Sequence, residues 1–115
     1  MTKVVNVKTD TFDIYIGRGK GDTLYHFGNP FTHLPLERTK AEVMVESRDE
    51  AVRRYGTWLR GESDTDLLPD RRQWILGNLH KLKDKTLGCW CAPLSCHGDI
   101  LKEMIEETNN GTQVA

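Results

Sequence analysis

Residues 86–101 read TLGCWCAPLSCHGDIL and contain all three cysteines of the chain. The short apolar run from Thr86 to Cys91 follows a charged segment and stops at Pro93, which predicts a buried strand leaving the core. Further on, apolar residues recur with helical spacing at Ile100, Leu101, Met104 and Ile105. The stretch therefore predicts a Rossmann-like unit in which a strand, a tight loop and a helix follow one another.

The loop of such a unit lies at the carboxyl end of its strand, where the first N–H groups of the helix have no intrahelical partner. Those N–H groups and the positive end of the helix dipole together favour an anion. We therefore expect residues 95–99 to line an anion site at the start of the last helix.

Length and composition predict one independent domain over residues 1–107, followed by a frayed polar tail at 108–115. The net charge of −1 argues against a surface for nucleic acid, and no apolar run approaches the about 20 residues needed to cross a membrane. Three cysteines, two of them separated by one residue, disfavour a disulfide framework and favour the cytoplasm. No cofactor is indicated.

The remaining elements are predicted from local patterns. Two β-rich runs at residues 4–7 and 12–16 predict a hairpin or a bent pair of strands, and residues 17–35 an ordered loop. A further short strand is expected within residues 42–46. The sequence order indicates an α/β domain in which a small mixed β-sheet packs with about three helices.

Two of these helices have recognisable ends. Ser47 and Glu50 fit a capping box at the start of one helix, and Gly61 ends it. Pro69 opens the next, in which Gly77 is predicted to mark a close approach between helix and sheet. The intervening polar residues form a link.

The loop after the second β-rich run offers a second set of ligand-binding candidates. Arg18 and Gly19 belong to a glycine-rich turn that suits a phosphate, although a solvated turn is an equally good reading. Asn29 precedes a proline and is held extended, so its amide is placed to read a base or a ribose. Phe31 and Trp90 are candidates for stacking on a ring, or else for core packing.

The cysteine–histidine cluster allows several chemistries. Cys96 at a helix start beside an imidazolium of His97 is the setting of a nucleophile, but equally of a pocket wall. Asp99 either stabilises the helix dipole or accepts from sugar hydroxyls. A zinc site would use Cys89, Cys91, Cys96 and His97, and the spacing of these residues speaks against it.

Several motifs together resemble one known family. They are Val4-Val5-Asn6-Val7, Tyr15-Ile16-Gly17-Arg18, Gly28-Asn29-Pro30-Phe31, the helix start at residues 47–55, Leu87-Gly88-Cys89-Trp90-Cys91-Ala92-Pro93 and Cys96-His97-Gly98-Asp99. The chain thus resembles a family of small domains of unknown function found in bacteriophages and bacteria, except at residues 20–27. The resemblance implies no activity. It does imply a phage origin, hence a place in the host cytoplasm and a role against host defence.

The leading hypothesis is a protein that binds a phosphorylated nucleotide-like molecule, alone or as a homo-oligomer, and acts as a sponge for a cyclic nucleotide or an ADP-ribose-derived immune signal. One alternative is a nucleotide- or nucleoside-processing enzyme with Cys96, His97 and Asp99 as catalytic residues; another is a zinc-stabilised protein-interaction domain. The expected ligand-binding residues are Arg18, Gly19, Asn29, Phe31, Trp90, Cys91, Cys96, His97, Gly98 and Asp99.

Overall fold

A computed structural model describes residues 2–18, 25–38, 41–92, 94 and 96–109. Its strands are β1 (Lys3–Asn6), β2 (Ile14–Tyr15), β3 (Phe31–Thr32), β4 (Val43–Met44) and β5 (Thr86–Cys89). Its α-helices are α1 (Arg48–Leu59), α2 (Pro69–Asn78) and α3 (His97–Asn109), and short 3-10 helices span Leu36–Arg38 and Leu79–Leu82. The predicted α/β class, with about three helices, is confirmed.

The main sheet places β5 between β1 and β2, and both neighbours run parallel to it. The predicted hairpin is wrong, because β1 and β2 each pair with β5 and not with one another. Residue alternation identifies the buried face of a strand but carries no information about the strand beside it. The second pair, β3 with β4, is also parallel, so every pairing in the described ranges is parallel where a mixed sheet was expected.

The parallel arrangement decides where the loops meet. Because β1, β2 and β5 point the same way, the segments that follow them emerge at one edge of the sheet. Residues 16–18 leave β2 there, and residues 90–92 leave β5. This edge carries the candidate site.

Helix α3 packs against the sheet at Gly98. A Cβ added to this glycine would lie 2.8 Å from a methyl group of Ile16 and 2.9 Å from a methyl group of Val4. Leu101 and Met104, further along the same helix, are fully buried. The predicted strand–loop–helix unit therefore exists, and a glycine at its start permits the close packing.

Gly77, in contrast, does not mark a close approach. A Cβ at this position would meet no atom within 4 Å, and the residue is exposed. The buried residues of α2 are Arg71 and Ile75, and Leu82 is buried just beyond the helix. The close approach of helix and sheet that was predicted at Gly77 is therefore wrong.

Of the two hydrogen bonds of the capping box predicted at the start of α1, only one is present. The Ser47 hydroxyl accepts from the N–H of Glu50 at 3.1 Å, whereas the Glu50 carboxylate bonds to Arg53 instead of returning to the cap. Gly61, just beyond the helix, has a φ of +75°. The pattern of α1 was thus readable from its own residues.

Replacing Ser47 with alanine should lower the free energy of unfolding by about 1 kcal/mol, because the N–H of Glu50 loses its acceptor. Thermal denaturation of Ser47→Ala beside Ser47→Asp measures it. The aspartate variant retains an acceptor and should stay near the wild-type value. Equal losses in the two variants would show that the cap does not contribute.

The last helix extends slightly beyond the domain boundary predicted at residue 107. Helix α3 reaches residue 109, two residues into the predicted tail, and residues 110–115 lie outside the described ranges. Within those ranges, no helix combines the length and the apolar character needed to cross a membrane.

Candidate functional site

A cavity of about 460 Å³ opens at the edge of the sheet where the loops meet. Many predicted site residues line it: Arg18, Asn29, Phe31, Trp90, Cys91, Cys96 and His97, together with the zinc candidate Cys89. Gly98 and Asp99 do not line it, and Gly19 lies outside the described residues. Gly17 and Arg18, the described residues of the glycine turn, therefore share one concavity with the cysteine–histidine corner.

Arg18 lines the cavity, and its guanidinium group bonds to the backbone of residues 29 and 31. Its Nε–H donates to the carbonyl oxygen of Asn29 at 2.9 Å, and Nη2 donates to that of Phe31 at 3.0 Å. Burial lowers the pKa of Arg18, but an arginine remains charged. Because the group carries five N–H bonds, three have no partner in the part of the chain described.

A second arginine, Arg48, was not predicted. It is the first residue of α1, is partly buried and lines the same cavity. The sequence offered no signal that distinguished it from the other helical arginines. Arg48 belongs to the site only because the start of α1 packs beside the cavity, and that packing cannot be derived from the residues of α1.

Together Arg18 and Arg48 make the cavity positive. Among the described residues, neither forms an ion pair with a carboxylate, and no acidic side chain lines the cavity. Burial raises the pKa of Cys91, while the charges of Arg48 and Arg18 act in the opposite direction. The two guanidinium charges therefore reduce the cost of negative charge at the Cys91 sulfur, although burial outweighs them there.

Asn29 has a structural task in the loop. Its side-chain oxygen accepts from the N–H of Phe31, and its NH₂ group donates to the carbonyl oxygen of Ala51, both at 2.9 Å. These bonds tie the loop to α1. Among the described residues, one N–H and one lone pair of the amide have no further partner.

The two predicted stacking residues differ in exposure. Trp90 is 57% exposed at the rim, where its indole N–H donates to the Tyr15 hydroxyl at 2.9 Å. Phe31 is 1% exposed, and the guanidinium of Arg54 lies over its ring at 5.0 Å. Trp90 is thus the accessible ring, whereas Phe31 forms a wall.

Gly17 provides the space beside Tyr15 that this rim requires. Any Cβ at Gly17 would collide with the Tyr15 ring and hydroxyl. The glycine therefore allows Tyr15 to hold Trp90 in place.

The imidazole of His97 is neutral. Its Nε2 bonds to the carbonyl oxygen of Ile16, and because a carbonyl only accepts, the proton lies on Nε2. Burial lowers the pKa of His97 to about 4, and the ring edge packs on Tyr55 with centroids 5.2 Å apart. The predicted imidazolium beside Cys96 is therefore wrong at neutral pH, because burial disfavours the charged form.

The titration of His97 should follow this geometry. Since its folded pKa is near 4 and the unfolded value near 6.5, the unfolded state binds more protons between these limits. Stability that this residue confers at neutral pH is lost as the pH falls from about 6.5 to about 4. NMR of the imidazole in the wild-type protein should show a neutral Nε2–H form at pH 6. A ring half protonated at pH 6.5 would contradict the assignment.

Cys89 and Cys96 form a pair of thiols between β5 and α3. Their sulfurs are 3.2 Å apart, and both residues are buried. Donation from the Cys96 thiol lowers the pKa of Cys89 to about 6 and raises that of Cys96. The sulfur that ionises first is thus Cys89, and not the Cys96 that helix position alone had indicated.

The structure does not assemble the zinc site. Within the described ranges, no group of three or more histidine, cysteine, aspartate or glutamate side chains is placed to hold a metal. His97 is directed instead to Ile16, on another element. The predicted alternative that combined it with Cys89, Cys91 and Cys96 therefore has no geometric support.

Asp99 and Gly98 act on the helix start itself. The carboxylate of Asp99 accepts from the N–H of Cys96 at 3.2 Å, and the N–H of Asp99 bonds to the Cys96 carbonyl oxygen at 3.0 Å. The N–H of Gly98 lies 3.3 Å from the Cys96 sulfur. The N–H groups of Cys96, Gly98 and Asp99 thus all have partners within the chain.

These features define a small α/β domain with an arginine-lined, thiol-bearing cavity at the edge of a parallel sheet. The chain belongs to the family described as Domain of unknown function DUF4326, whose model matches residues 2–107. The predicted membership in a family of small domains of unknown function is confirmed. Searches of curated proteins and of solved structures found no match.

Proposed function

We propose that this protein binds a phosphorylated nucleotide-like small molecule in the cavity. The observation that carries the proposal is the position of Arg18 and Arg48, which line one cavity and have no carboxylate partner among the described residues. Guanidinium groups suit phosphate oxygens because their N–H bonds form a planar fork. A phosphate between them would accept from the N–H groups of Arg18 that have no partner among the described residues.

The size and rim of the cavity support an organic ligand that carries the phosphate. The volume of about 460 Å³ falls within the range of about 300–1,000 Å³ for small-molecule sites. Trp90 offers an exposed ring on which a base can stack. The remaining N–H and lone pair of Asn29 can pair with a base or a ribose.

The titration of His97 and Cys96, two of the residues predicted as catalytic, favours binding without turnover by them. A neutral His97 with a pKa near 4 is a poor general acid at neutral pH, and the raised pKa of Cys96 makes it a poor nucleophile. Sequestration of a nucleotide signal, such as a cyclic nucleotide or an ADP-ribose derivative, in the cytoplasm is a role that needs only binding. A phage origin would make that role one of counter-defence.

The proposal is tested with purified full-length protein. The protein is denatured, released small molecules are identified by mass spectrometry, and thermal shifts are recorded with phosphate, AMP, cyclic AMP and ADP-ribose. We expect an intact phosphorylated ligand near one per chain, or a clear thermal shift with a nucleotide.

Other outcomes separate the alternatives. Conversion of an added nucleotide with turnover would support the enzyme, and one zinc per chain would support the interaction domain. The absence of both a released ligand and any nucleotide-dependent shift would contradict the proposed binding.

A further inference from the structure

We propose that Cys89 and Cys96 form a dithiol centre that a small hydroperoxide oxidises to an intramolecular disulfide. The two sulfurs lie 3.2 Å apart, and they belong to the end of β5 and the residue that precedes α3. The site is independent of the proposed nucleotide ligand, since it requires only the thiols and a route to them.

The route is the cavity. Cys89 and Cys96 are 1% and 2% exposed, yet both line the cavity wall. A small hydroperoxide can enter a space of about 460 Å³, whereas a protein disulfide cannot reach the buried sulfurs. The oxidant is therefore a small molecule such as hydrogen peroxide.

The environment also distinguishes the roles of the two sulfurs. The Cys96 thiol and the N–H of Ala92, at 3.4 Å, both stabilise negative charge on Cys89. Cys89 is therefore the attacking thiolate. Cys96 retains its proton and acts as the resolving thiol.

The reaction balances in two steps. The Cys89 thiolate attacks one peroxide oxygen, the O–O bond breaks, and the alkoxide or hydroxide that leaves takes a proton, giving a sulfenic acid. The Cys96 sulfur then attacks the Cys89 sulfur, and hydroxide leaves with the Cys96 proton as water. In sum, two thiols and one hydroperoxide give a disulfide, an alcohol (water in the case of hydrogen peroxide) and a water.

The disulfide would join two elements across the chain segment that contains Trp90 and Cys91. Both of these residues line the cavity, so oxidation fixes one of its walls. A disulfide of this kind is compatible with a reducing compartment, where the disulfides that form are transient.

The test counts thiols after the full-length protein is treated with hydrogen peroxide, denatured and alkylated with iodoacetamide. The reduced wild type should take up three alkyl groups and the oxidised protein one, at Cys91, with no dimer on a non-reducing gel. Chymotrypsin cleavage after Trp90 places Cys89 and Cys96 on separate peptides, which should remain linked until they are reduced.

Two cysteine variants identify which sulfurs form the disulfide. The Cys91→Ala variant, changed at a partly buried position, should have two alkylatable thiols when reduced and none after peroxide treatment. Cys96→Ser should not form the disulfide and should accumulate a sulfenic acid at Cys89 that dimedone traps.

Three results would overturn the proposal. They are a disulfide that includes Cys91, three thiols that survive peroxide, and overoxidation of Cys89 in the wild type without a disulfide.

Discussion

Arg48→Gln should weaken nucleotide binding by roughly 10- to 100-fold, the size expected when a hydrogen-bonded partner of a charged group is lost. Arg48 lines the cavity and has no carboxylate partner among the described residues, so we expect the substitution to have little effect on the fold. The affinity is measured by titration calorimetry with the nucleotide that gives the largest thermal shift. The melting temperature of the unliganded variant should stay close to that of the wild type.

Arg53→Gln is the matched control. It removes the same charge from the same helix, but Arg53 is exposed, pairs with Glu50 and does not line this cavity. Its affinity should remain within about twofold of the wild type, because an exposed pair contributes little. Equal losses in the two variants would attribute the effect to net charge alone, and no loss in Arg48→Gln would remove this arginine from the site.

Arg18 is less suited to this test. Its guanidinium bonds to the carbonyl oxygens of Asn29 and Phe31, so a substitution there would disturb the loop as well as the ligand. A loss of binding in an Arg18 variant would not separate these effects. The Arg48→Gln variant therefore tests ligand binding more directly than an Arg18 variant does.

Gly98→Val should lower the free energy of unfolding by about 3 kcal/mol, the upper end of the cost of overpacking a core. Even a Cβ would lie within 3 Å of Ile16 and Val4, and the additional methyl groups have no space between α3 and the sheet. Denaturant unfolding measures the change. The starting point of α3, and with it His97, should shift.

Gly77→Val is the control that separates the glycine-to-valine change itself from the crowding at residue 98. It makes the same change within a helix, at an exposed position where a Cβ meets nothing within 4 Å. Because valine has a somewhat higher helix propensity than glycine, stability should rise by a few tenths of a kcal/mol, roughly. A Gly98→Val protein as stable as the wild type would show that helix and sheet are not in close contact there.

Local signals predicted the elements of this fold well. The serine before α1, the proline that opens α2 and the apolar spacing of α3 each act within a few residues, so the chain itself reports them. The partner of a strand is different, because β1 and β2 meet β5 across more than 70 residues. Their parallel pairing could not be derived from alternation.

The same distinction applies to the site. The glycine turn and the cysteine–histidine corner were recognisable by residue type, and the structure places Arg18 of the turn in one cavity with the corner. The neutral state of His97 depends on its burial, its tautomer depends on the carbonyl of Ile16, and the importance of Arg48 depends on its position at the cavity. Contacts of this kind arise only when distant segments pack together.

The most direct measurement is a crystal structure of the protein with the nucleotide that stabilises it most. We expect a phosphate within hydrogen-bonding distance of both Arg18 and Arg48, with the base or sugar beside Trp90. A nucleotide bound elsewhere on the molecule, with only water between the two arginines, would contradict it.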